Sequence, residues 1–238
     1  MRNSGLVKND IQNVLKALKK VAGVDAQNFT EEVGGVDTSD VGAISYSFVM
    51  HFKMTTPPDN TLPLIPIDVK LEMEVNEDLR STDETLGGNY VMQLHITGQE
   101  GEKQYMCSWH LDLDSRTDRR YIHPRYHLTY GGKNMRDELK QDKEYFGKLM
   151  LMATPRIPMA PLDGILAIDF VLNHFYKNDI INDVLNDSRY KEAVRASQTR
   201  IWGPYYRSIY EHFSGGALAS KGVQYVPNLK KKENDNFR

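Results

Sequence analysis

A single cysteine, Cys107, means that no disulfide can form within this chain, which suits a reducing compartment. Long apolar runs are missing too, so neither a signal segment nor a bilayer-spanning helix is expected. Charge of one sign is also lacking. The formal net charge is −2 over 238 residues, so whole-chain electrostatics give no reason to expect nucleic acid or an anionic membrane as a partner, and only local patches could. No internal repeat occurs, and no spacing matches HExxH or paired CxxC. These absences point to a soluble cytoplasmic protein without a membrane partner. The 40% apolar content supplies a substantial core.

Periodicity supplies the architecture. Ile11, Val14, Leu15, Leu18 and Val21 recur at helical spacing and predict an amphipathic helix over residues 8–22, with Gly23 as its stop. A period of two then takes over. Ile44, Tyr46, Phe48, Met50 and Phe52 alternate with more polar residues over 44–53, and Ile67, Val69, Leu71, Met73 and Val75 do so within 65–75. Segments 90–97 and 104–114 repeat the pattern around a hairpin turn at 98–103, and a fifth short strand is predicted over 125–130. Helices are predicted over 161–176 and 188–201, with a third over 204–213 set off by Gly203-Pro204. Asp163 is a candidate cap of the first of these. The reading is an α+β domain over residues 1–216: an antiparallel four- to five-stranded meander, with an N-terminal helix and C-terminal helices packed on its apolar face. Residues 217–238, with Lys230, Lys231 and Lys232, read as a polar, basic, flexible tail.

The densest chemistry lies between Ser108 and Gly132. These 25 residues hold three histidines, three aspartates and four arginines. His110, Asp112 and Asp114 share one face of their strand, and a charged turn can return His123 and His127 beside them. Imidazole and carboxylate together suit a divalent transition metal such as Zn or Mn. A metal-free alternative uses His123 or His127 as general acid or base, since imidazole titrates near neutral pH. Arg116, Arg119, Arg120, Arg125 and Tyr126 would then contact phosphate, a nucleic-acid backbone or a protein partner. The competing structural reading is a solvated outer strand face balanced by its own arginines. Cys107 shares an apolar face with Trp109 and makes a poor nucleophile. His174 sits among core-type residues and reads as a satisfied core histidine. Trp202, Tyr205, Tyr206, Tyr210 and Phe213 read as helix packing, with any exposed part forming a partner surface.

In layout the chain resembles the ubiquitin-conjugating-enzyme and RWD-like superfamily: the helix at 8–22, four strands between 44 and 114, His123-Pro124, and the helices from 161 onward. That family's catalytic cysteine follows its His-Pro-Asn motif by a few residues. Here no cysteine follows Cys107, and Arg125 takes the Asn position. The resemblance implies a conjugation-incompetent relative serving as a binding scaffold. Two function classes follow. One is a non-catalytic interaction or scaffold protein of a cytoplasmic complex, a bacterial one included. The other is a metal-dependent or His-based hydrolase acting on phosphodiesters. The first is preferred, because no motif of strong chemical specificity occurs.

Overall fold

The computed structural model describes residues 3–21, 24–25, 42–55, 67–81, 86–87, 89–113, 125–131, 135 and 157–214. Helix α1 spans Ser4–Leu18, and strands β1 to β7 span Val24–Asp25, Ala43–Thr55, Ile67–Asp78, Val91–Glu100, Lys103–Leu113, Tyr126–Tyr130 and Ile157–Pro158. Helices α2, Gly164–Phe175, α3, Asn178–Leu185, and α4, Ser188–Ser214, complete the elements among the described residues. All seven strands join one sheet in sequence order, each antiparallel to the next. The predicted α+β meander stands, with two more strands than its upper count. The additions, β1 and β7, are two-residue pairings at the sheet edges, too short for any alternation to reveal. Pro158 is tolerated there because an edge strand leaves one side of its backbone unpaired.

The alternation works as expected. Ile44, Tyr46, Phe48, Met50 and Phe52 are buried, as are Val69, Leu71, Met73 and Val75 on β3 and Met92, Leu94 and Ile96 on β4. Together they form the floor on which α1, α2 and α4 pack through one continuous apolar core. At the start of α2 the layers meet closely. A Cβ on Gly164 would come within 2.8 Å of both the Tyr46 and Phe48 rings, so only glycine fits. The Tyr46 hydroxyl accepts the Gly164 N–H at 2.9 Å, and Asp163 caps the helix by accepting the Leu166 N–H at 2.9 Å.

Two helix assignments change. The N-terminal helix begins at Ser4 rather than residue 8, capped by Asn3, and ends at Leu18. The predicted break at Gly203-Pro204 is absent: α4 runs unbroken for 27 residues with Pro204 inside it. Among the described residues no helix is long and apolar enough to cross a membrane. The proposed tail from residue 217 lies outside the described residues.

Candidate functional site

The outer face of β5 and β6 carries the first candidate. Strand parity places Ser108, His110 and Asp112 on this face, and the antiparallel register sets Thr129 opposite His110 and His127 opposite Asp112. His110 Nε2 lies 3.2 Å from Asp112 Oδ2, and His127 Nε2 lies 3.7 Å from the same oxygen. One carboxylate oxygen thus sits within reach of two imidazoles. His95 belongs to the same face, opposite Ser108. The sequence reading therefore brings His110, Asp112 and His127 together. Asp114, His123, Arg116, Arg119 and Arg120 lie outside the described residues. Among the described residues no group of three His, Cys, Asp or Glu side chains is arranged to hold a metal ion.

This face is not uniformly solvated. Glu74 on β3 is exposed, but His127 is 3% exposed, Ser108 1% and Thr129 7%. Ser108 Oγ and Thr129 Oγ1 have no hydrogen-bond partner among the described residues. Tyr126 turns the other way. It is buried on the helix side, edge-on to the rings of Tyr90 and Tyr205 at 6.1 and 5.9 Å. Arg125, half-buried, immediately precedes it.

A second site escaped the sequence reading. Beneath the C-terminal half of α2 the helix and sheet layers do not close, leaving a cavity of about 460 Å³. Its floor is the helix-facing side of the sheet, where Leu94 pairs with Trp109 and Ile96 with Cys107. Leu128 extends the floor onto β6, and Phe170, His174 and Phe175 of α2 form the opposite wall. Among the described residues no Asp, Glu, Lys or Arg lines it. A pocket of this size and lining suits a small apolar ligand. Burial pushes the Cys107 thiol above its ordinary range, against a smaller opposing effect of its hydrogen bond to Trp109, so the thiol faces the cavity uncharged at neutral pH. His174 is exposed at the rim rather than satisfied in the core, and its ring stacks on Phe170 at 4.1 Å.

A third cluster is buried between the layers. Arg200 of α4 donates to Glu77 of β3 at 2.7 Å and to Asp163, the cap of α2. Arg200 is 4% exposed, Glu77 2% and Asp163 0%. Burial acts against the Arg200 charge, but the neighbouring Glu77 and Asp163 carboxylates outweigh it and hold the guanidinium protonated more firmly than usual. Sequence alone offered one signal for it: Glu77 falls in phase with the inward residues Val69 to Val75, where a charge demands a partner. The cluster joins three elements through directly paired buried charges, which suits a structural clamp.

No family model matches this chain, and neither a curated protein nor a solved structure does.

Proposed function

We propose that this chain is a non-catalytic binding module whose binding site is the apolar cavity between α2 and the sheet. The cavity itself carries the reading: about 460 Å³ bordered by Leu94, Ile96, Trp109, Leu128, Phe170 and Phe175, on the side of the sheet that elsewhere is closed by helices. Leaving such a lining without a neighbouring layer sacrifices burial worth about 25 cal/mol per Å², and a bound apolar group recovers it. Among the described residues the lining holds no acid–base pair and no activated nucleophile, which favours binding over chemistry. Hydrolysis of phosphodiesters by His123 and His127, in a site with His110, Asp112 and Asp114, has weaker support, because the Asp112 carboxylate lies beside both His110 and His127 where a phosphate would approach.

The test is an anilinonaphthalene sulfonate dye, whose emission rises in apolar sites. The wild-type protein should enhance it. Cys107→Phe, which places a ring in the cavity, should lose most of the enhancement while keeping its melting temperature. Equal emission from both proteins, or none from either, would sink the reading.

A further inference from the structure

We propose that the cavity's ligand is a small amphiphile with one carboxylate, an alkyl or aryl acid whose apolar body lies between α2 and the sheet and whose acid group binds Nε2 of His174. This rests on the cavity being the binding site, and goes beyond it by naming the ligand's chemistry.

Among the described residues the cavity offers few polar groups. Among the described residues of the lining there is no Asp, Glu, Lys or Arg, so there a basic ligand meets no carboxylate and a polyanion no cluster of cations. A peptide segment would bring backbone N–H and C=O groups into a wall with almost nothing to bond them. The Tyr105 hydroxyl already donates to Glu100 at 3.1 Å. His174 is different. Its Nδ1 lies 2.7 Å from the Phe170 carbonyl oxygen, and a carbonyl can only accept, so Nδ1 carries a proton. Stacking on Phe170 at an interplanar angle of 26° holds the ring. Nε2 is then the ring nitrogen left for a ligand. When it is protonated it donates to a carboxylate in a charge-assisted bond. His174 stands in the last turn of α2, at the rim of the cavity. An apolar wall with a single imidazole at its rim therefore matches an apolar molecule with a single acid group.

Calorimetric titration of the full chain with octanoate and with methyl octanoate separates the two levels of the argument. The compounds share an alkyl chain, and only octanoate carries a charge. Octanoate should bind about tenfold tighter than the ester, the worth of one charged hydrogen bond. His174→Gln should abolish that preference and leave the affinity for the ester unchanged. His174 is exposed, so this variant does not threaten the fold. Equal binding of acid and ester by the wild type, or a preference that survives His174→Gln, overturns the anchor and leaves the apolar site standing. If neither compound binds while the naphthalene dye does, the amphiphile proposal fails and the binding module remains. If dye, acid and ester all fail, both fall together.

Discussion

Arg200 shows how much one buried residue can organise. Its guanidinium touches a strand through Glu77 and a helix cap through Asp163, so the registration of α4 against both depends on a single side chain. Removing one partner from such a group costs far more than the group contributes net, because the remaining charges stay buried. Arg200→Met should therefore lower stability by about 3 kcal/mol in urea unfolding. Arg195→Met, on an exposed position of the same helix, should stay within about 0.5 kcal/mol of wild type. Equal losses in the two variants would show that the buried ion cluster has no special weight. The neighbourhood also perturbs Asp10, whose carboxyl is raised above its ordinary range, chiefly by burial and also by the like charge of Asp163, with Arg200 opposing. In the sequence Asp163 reads as a capping candidate and Glu77 falls in phase with inward residues, but nothing marks Arg200 or Asp10. A long-range pair such as Arg200 with Glu77 has no signature at any fixed spacing.

At the scale of elements, what was legible followed periodicity, and what was missed depended on tertiary support. Strands β2 to β5 alternate over ten or more residues each, enough for a period of two to stand out. Helix α3 has eight residues, with Ile181 and Val184 buried, too few turns to read reliably from spacing. The continuity of α4 through Pro204 runs against local preference. Proline cannot donate to the carbonyl four residues back, at a cost of about 3 kcal/mol. Packing offsets this: Ile201, Tyr205 and Ser208 are buried around it, and the Trp202 indole donates to the Pro161 carbonyl at 2.8 Å. The hairpin between β4 and β5 is the opposite case, where local chemistry decides. Its loop is Gly101-Glu102, closed by the Glu100–Lys103 pair, and Gly101 has φ of 61°. A positive φ at the first loop position is what tight hairpins require. Apart from its own chain neighbours, no described atom lies within 4 Å of a Cβ built on Gly101, so Gly101→Ala tests backbone strain rather than packing. It should cost about 1 kcal/mol, with Gly101→Asn costing less, as measured by thermal unfolding. An unchanged melting temperature for the alanine variant would mean the turn relaxes into another form.

Across the whole molecule the two faces of the sheet exchange roles along its width. Over β2 and most of β3 the helix side is closed and the outer residues are half-buried or exposed, and the cavity opens from Leu94 and Ile96 of β4 onward. Over β5 and β6 the outer residues Ser108, His127 and Thr129 are buried, while Cys107, Trp109 and Leu128 on the helix side are only half covered. Alternation predicts which residues share a face, but not how far a layer of helices extends across it. For this reason the outer-face residues were named from the sequence and the cavity was not. The same asymmetry makes a stability prediction that needs no ligand. Leu71 and Leu128 both point toward the helices, but Leu71 is fully buried under them and Leu128 borders the cavity. Leu71→Ala removes contacts on every side and leaves a new void, so it should cost about 3 kcal/mol. Leu128→Ala only enlarges a space that already exists, and should cost less than about 1 kcal/mol. Denaturant melts of the two variants measure the difference directly. Comparable losses would mean that the helix layer closes over β6 in solution, and the cavity would lose its standing as an open site.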